Sequence, residues 1–217
     1  MPTAPPGECV VLLHGLGRSA ASMAPIGRDL SRRGYTVVAR SYPSTRLSIE
    51  AAAAGVEQDI ARCRRARATR IHFVTHSLGG LLLRGYFQDH EAPEAGRAVM
   101  LGPPNGGSEI ADELKHHWWF RRALGPAGQA LGTREPMAFA RPLPLEVGVI
   151  AGTRNYEPWF AGCFGGRPND GKVSVASTRL PEMADFLTVR AGHTFMVRSR
   201  LVQNQVAAFL QDGRFTP

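Results

Sequence analysis

The stretch Thr75-His76-Ser77-Leu78-Gly79-Gly80 constrains this chain more than any other. It follows Ile71-His72-Phe73-Val74, a short apolar run rich in β-formers, and it precedes residues 81–87, which read as a buried helix. A serine set between strand and helix among small residues is the pattern of a nucleophile elbow. Such a turn holds the serine in strained backbone, with its Oγ exposed above the sheet and the helix N-terminus beneath any oxyanion formed there. Gly79 makes room where strand and helix pass closely. Thr75 stands where the full Gly-x-Ser-x-Gly pattern has its first glycine. The pentapeptide alone therefore leaves open an ordinary strand-to-helix connection with a capping serine.

The rest of the chain alternates strands and helices. Apolar β runs are expected at residues 9–13, 35–39, 71–74, 97–101, 145–151 and 185–190, and helices over 22–33, 48–67, after the elbow, from Glu109, and over 194–211. That alternation predicts an α/β fold with a mostly parallel sheet and helices on both faces. In such sheets ligands bind beyond the C-terminal ends of the strands. Gly15, Ser77, Asn105, Asp170 and His193 all fall at such ends, and their shared location is stronger evidence than any single motif.

A serine hydroxyl is a poor nucleophile until a base takes its proton and a carboxylate orients that base. After the elbow the candidate bases are His90, His116, His117 and His193. His193 follows a strand and Gly192, in a loop that can lean over Ser77. His72 lies within a strand and is a poor candidate. Among the acids, Asp170 sits in Asn169-Asp170-Gly171 after the fifth strand, where a plain Asx turn is the structural alternative. Asp185 opens the sixth strand, at the wrong end, and Glu157 and Glu182 are weaker loop candidates. The order Ser77, Asp170, His193 is a known order for this type of triad.

Acyl transfer also needs donors for the oxyanion. The Leu78 amide, next after the serine, is one, and the turn His14-Gly15-Leu16-Gly17 supplies the other, expected from Leu16. A glycine-rich loop after a first strand also suggests dinucleotide binding. Here Ala20 stands where a third glycine is needed and no acid ends the second strand, so that reading is set aside.

Together these motifs, with Gly-Pro-Pro-Asn-Gly-Gly-Ser at 102–108, resemble the α/β-hydrolases, and more narrowly the compact bacterial lipases and esterases and the lipase-like GPI-inositol-deacylase group. The resemblance runs from Val10 to Leu210. It implies a minimal α/β-hydrolase sheet of six strands in the order 2-1-3-4-5-6. It also implies Ser77 as nucleophile, His193 as base, Asp170 as acid, and Leu16 and Leu78 as oxyanion donors. The expected activity is cleavage of carboxylic esters, small or lipidic, through an acyl-enzyme and without a cofactor or metal. An acyltransferase or thioesterase with the same triad, or a non-catalytic binding protein on this fold, are the alternatives. Gly15, His76, Asn105, Trp118 and Trp119 are the expected substrate-binding residues, with His76 held by packing and turn geometry. Residues 115–143, which hold His116-His117-Trp118-Trp119-Phe120, read either as a lid or as a helix pair completing the core.

Composition bounds the setting. The 217 residues suit a single domain, 1–217, expected to act as a monomer. The N-terminal stretch shows no basic region followed by an apolar one, so no signal peptide is expected and a cytoplasmic location follows. Cys9, Cys63 and Cys163 are odd in number and far apart, and read as free thiols in a reducing compartment. The net charge of +8 is nearly all arginine, densest at Arg62, Arg64, Arg65, Arg67 and Arg70. Cations at a helix C-terminus complement its dipole. Without interleaved aromatics they do not make a nucleic-acid site, and a weak contact with an anionic membrane surface is the partner reading left open.

Overall fold

The computed structural model describes residues 5–134 and 139–216. Residues 135–138 of the irregular segment and the start of the N-terminal stretch therefore lie outside the described residues. Six strands form one parallel sheet: β1 (Glu8–Leu13), β2 (Thr36–Ala39), β3 (Arg70–His76), β4 (Ala95–Leu101), β5 (Glu146–Gly152) and β6 (Asp185–Val189). Their spatial order is β2-β1-β3-β4-β5-β6, the order expected.

Alternation along β1 explains the layering. Cys9, Val11 and Leu13 face one apolar cluster, while Val10 and Leu12 face the other. The first cluster is covered by α2 (Ile49–Ala53), α3 (Val56–Arg65), α4 (Leu78–Asp89), α5 (Glu109–Leu114) and α6 (Trp118–Gln129). The second is covered by α1 (Ala24–Arg32) and α7 (Arg200–Asp212). Strands buried on both faces need apolar side chains at every position, which is why they read as continuous runs in the sequence.

Several elements differ from expectation, each for a tertiary reason. The single helix expected over 48–67 is broken into α2 and α3 at Gly55. There an Arg40 guanidinium nitrogen donates to the Gly55 carbonyl at 2.7 Å, and the same side chain pairs with Asp59 at 3.0 Å. A Cβ on Gly55 would lie 2.4 Å from that guanidinium, so a larger residue would displace the arginine from this position. The helix expected over 194–211 begins as a 3-10 turn, Met196–Arg198, and α7 starts only after Ser199. The irregular segment contains α6, kinked at Gly125 (φ 61°), where Pro126 also interrupts the helical ladder.

The expectation of three free thiols is overturned. Cys9 of β1 and Cys63 of α3 are joined in a disulfide with their Cα atoms 5.8 Å apart, and Cys163 is free. Both bonded residues are fully buried where α3 packs on β1. Their separation of 54 positions gave no hint of that contact. The argument for a reducing compartment, which rested on free thiols, goes with it. Among the described residues no helix is long and apolar enough to cross a membrane.

Candidate active site

Ser77 joins β3 to α4 with φ 53° and ψ −124°. A side chain in this region of the map is strained by about 1–3 kcal/mol and persists only where neighbours impose it. Two hydrogen bonds impose it here: Ser77 N donates to Leu101 O at 2.9 Å, and Gly80 N donates to Ser77 O at 2.9 Å. Helix and strand are pressed together at the turn, since a Cβ on Gly79 would lie 2.5 Å from the Leu13 carbonyl oxygen. The threonine at the first motif position is accommodated in the same tightly packed turn. Thr75 Oγ1 is buried and packs beside Gly80, where a Cβ would stand 3.4 Å from it and 3.1 Å from Pro103 Cβ.

His193, in the loop between β6 and α7, is held at three points. Its Nδ1–H donates to Asp170 Oδ2 at 2.7 Å, its backbone N–H donates to Asp170 O at 2.9 Å, and its carbonyl accepts from His76 Nε2–H at 2.9 Å. The acid is held as firmly: Asp170 Oδ1 accepts from Lys172 N at 3.0 Å and Val173 N at 2.9 Å, and the side chain is fully buried. The Asx turn expected as the alternative to a functional acid is present as well, made by Asp170 Oδ1 with Lys172 N, and Asn169 Oδ1 makes another with Gly171 N. Asp170 thus spends one oxygen on the turn and gives the other to His193. Ser77 and His193 line one cavity. No hydrogen bond joins Ser77 Oγ to His193 among the described residues, a looseness common in sites without bound substrate.

His76 is completely buried. Desolvation, helped by the neighbouring His193, pushes its pKa down to about 3. It is therefore neutral near pH 7, and its carbonyl partner requires the proton on Nε2.

The turn after β1 is fixed by a second neutral histidine. Burial lowers the pKa of His14. Its Nε2 accepts from Tyr42 N at 3.2 Å, so Nδ1 carries the proton and donates to Gly15 O at 2.8 Å. The Tyr42 hydroxyl donates to His14 O, and the two rings stack with centroids 3.8 Å apart. Gly15 O also accepts from Arg18 N. In a planar trans peptide the carbonyl and the following N–H point in opposite directions. Holding Gly15 O therefore fixes the direction of the Leu16 N–H. Neither Leu16 N nor Leu78 N donates within the protein among the described residues. A side chain at Gly15 would crowd the site, because a Cβ there would lie 3.1 Å from both Ser77 Cβ and His76 Nδ1.

The cavity has a volume of about 430 Å³. Gly15, Leu16, His76, Ser77, Trp119 and His193 line it, with Phe120, Leu124 and Leu131 forming an apolar wall. The segment expected as lid or core gives Phe120 and Leu131 to the core cluster, while Trp119 lines the cavity and is 45% exposed. Two expected substrate-binding residues are not brought to the cavity. Trp118 is 75% exposed and does not line it. Asn105 is buried behind it, its Nδ2 donating to Thr178 O at 2.8 Å and its Oδ1 accepting from Arg84 at 3.3 Å. With Gly106 N to Ser177 O and Ser108 Oγ to Lys172 O, Asn105 clamps the 102–108 loop to the segment that follows Asp170. Asp185, rejected as the acid, accepts instead from Phe215 N and Phe186 N.

Sequence reasoning missed Tyr42 and the paired glycines Gly102 and Gly152. A Cβ on Gly152 would lie 2.8 Å from Asp170 Cβ. The available signal was a glycine at the C-terminal end of each of two adjacent strands. Among the described residues no three His, Cys, Asp or Glu side chains gather as a metal site.

The sequence matches the model of the alpha/beta hydrolase family over residues 10–210. No curated protein matches it. Among solved structures, the mature form of a Bacillus licheniformis lipase superposes with a TM-score of 0.77 at 21% identity, over 96% of this chain and 93% of that one. A metagenomic carboxyl esterase gives 0.75 at 20% identity, over 89% of this chain and 66% of that one. The type II thioesterase BorB from the borrelidin biosynthetic cluster gives 0.57 at 18% identity, over 97% and 94%. At such identities the likeness is one of fold.

Proposed function

The chain belongs to the alpha/beta hydrolase family, and we propose that it is a serine hydrolase of carboxylic esters. Ser77 Oγ attacks the ester carbonyl carbon while its proton passes to His193 Nε2. The tetrahedral oxyanion is held by the Leu16 and Leu78 amides. Its collapse expels the alcohol, which takes the proton from His193, and leaves an acyl group on Ser77. Water, deprotonated by the same imidazole, then attacks the acyl carbon, and the imidazolium returns the proton to Ser77 Oγ as the acid leaves. Asp170 keeps the proton of the neutral imidazole on Nδ1 and stabilises the imidazolium.

The observation that carries this reading is the three-point hold on His193 beside a serine in strained backbone. A protein that only bound a ligand would gain nothing from that strain. The same apparatus can release a thiol, and the likeness to a type II thioesterase keeps thioester cleavage as the second reading.

A fluorophosphonate probe followed by peptide mapping tests the proposal. Modification of Ser77 is expected, and its absence in folded protein would overturn the enzyme reading. With p-nitrophenyl esters, turnover should peak at short to medium acyl chains. A steady rise toward the longest chains would contradict that part.

A further inference from the structure

Apart from Leu201, every exposed large hydrophobic side chain among the described residues is an aromatic at one mouth. Trp118 and Trp119 stand at the start of α6, and Trp119 lines the cavity. Trp159 precedes the lining residue Phe160, and Phe195 follows the lining residue Thr194. Tyr156 lies against Gly192, where a Cβ would come within 2.5 Å of its ring. Trp118, Trp159, Phe195 and Tyr156 are each more than half exposed. So much bare aromatic surface in one place marks a contact surface rather than chance exposure.

Arginines identify the partner. Arg18, Arg121, Arg122, Arg154 and Arg198 are exposed on the same segments, and none has an ion pair among the described residues. Arg18 donates to Thr194 at 3.3 Å, and the Arg198 guanidinium lies 6.0 Å or less from a rim aromatic, 5.9 Å from the Phe195 ring. At the rim Glu157 is already engaged by Lys172 at 2.7 Å, and Glu113 is an exposed acid. The contrast with α3 is direct. In the arginine cluster there, which the sequence made conspicuous, Arg62 is paired with Asp59 and Arg64 with Glu57 and Glu94, and Arg65, Arg67 and Arg70, unpaired among the described residues, have no exposed aromatic on their segment.

We propose that this aromatic and arginine rim docks the protein on anionic lipid bilayers, so that the cavity opens onto the headgroup layer. Tryptophan and tyrosine settle at that depth because one end of each ring is apolar and the other polar. Unpaired arginines gain from anionic headgroups what a neutral surface or a second copy of the same cationic face cannot give. The reading of the cavity as an ester-cleaving site enters only in naming what is delivered there, an ester dissolved in the bilayer.

The test uses Ser77→Ala protein, which cannot consume the lipid, and vesicles of phosphatidylcholine with and without phosphatidylglycerol. Flotation should be at least about tenfold greater with the anionic vesicles and should weaken as salt rises. Replacing Trp118 and Trp159 by Ala should cut it by about tenfold. Arg121→Gln with Arg122→Gln should remove the preference for anionic lipid. Arg62→Gln with Arg65→Gln, on α3, should change nothing. Folded protein that does not float, or that loses flotation through the α3 variants instead, overturns the proposal. So does a stable dimer that the Trp118 and Trp159 substitutions dissociate, since the rim is then a subunit interface. Flotation as expected, with Ser77 of the unmutated protein inert to fluorophosphonate, upholds docking and removes the hydrolase reading.

Discussion

Gly102 stands against the imidazole of His193: a Cβ on Gly102 would lie 3.1 Å from Nδ1 and 3.0 Å from Asp170 Oδ2. Its φ of 53° already disfavours any other residue. Gly102→Ala should therefore cost about 1–2 kcal/mol of stability and also wedge the acid and base apart. Turnover should fall further than thermal stability explains when both are measured on the same preparation. Unchanged kinetics would show that the pair has slack.

Asp170→Asn should leave the Asx turn in place while removing the charge that orients His193. By analogy with triads of this kind, kcat should drop on the order of 10³- to 10⁴-fold with little change in KM. A loss under tenfold would mean another group orients the base.

Acid should destabilise the fold through its buried neutral histidines. The pKa of His76 is about 3 and that of His72 about 4, both lowered chiefly by burial, against an ordinary value of 6.5. Below about pH 6.5 the unfolded chain binds protons that the folded protein refuses, so stability is full above that pH and declines toward pH 4. His76→Gln keeps an N–H for the His193 carbonyl and removes one titrating group. Its melting temperature should depend less steeply on pH than the parent's, while His76→Leu should also lose turnover.

The disulfide between Cys9 and Cys63 closes a long loop and should stabilise by about 4 kcal/mol on a chain-entropy account. Reduction should lower the melting temperature on the order of 10 °C. Alkylation of unfolded, unreduced protein should modify Cys163 alone. Modification of all three cysteines would refute the bridge.

Tyr42→Phe removes the hydroxyl that binds the His14 carbonyl. Leaving that buried carbonyl unpaired should cost about 1–3 kcal/mol. A looser turn should lower kcat by about tenfold, with KM little affected.

The strands were legible because those buried on both faces leave unbroken apolar runs, and the loops that end them carry the polar groups; their spatial order came from the resemblance to the hydrolases. Ser77, Asp170 and His193 could be placed at one rim on that logic alone. What escaped depends on partners distant in sequence. The helix break at Gly55 is where Arg40 arrives from another element to hold the Gly55 carbonyl, and Asn105 donates to Thr178 where two loops lock together. Trp118 and Trp119 are neighbours in sequence, yet only one reaches the cavity, since adjacent helical residues point in different directions.

With the Gly15 carbonyl tied down by His14, and His14 in turn by Tyr42, the peptide carrying the Leu16 N–H has no freedom to rotate. In the proposed reaction an incoming carbonyl group would meet a receptor set during folding, so no ordering entropy is lost again at each encounter. The same rigidity fixes the size of the group that can be received there, and widening it would require rebuilding the contact between β1 and the residues after β2.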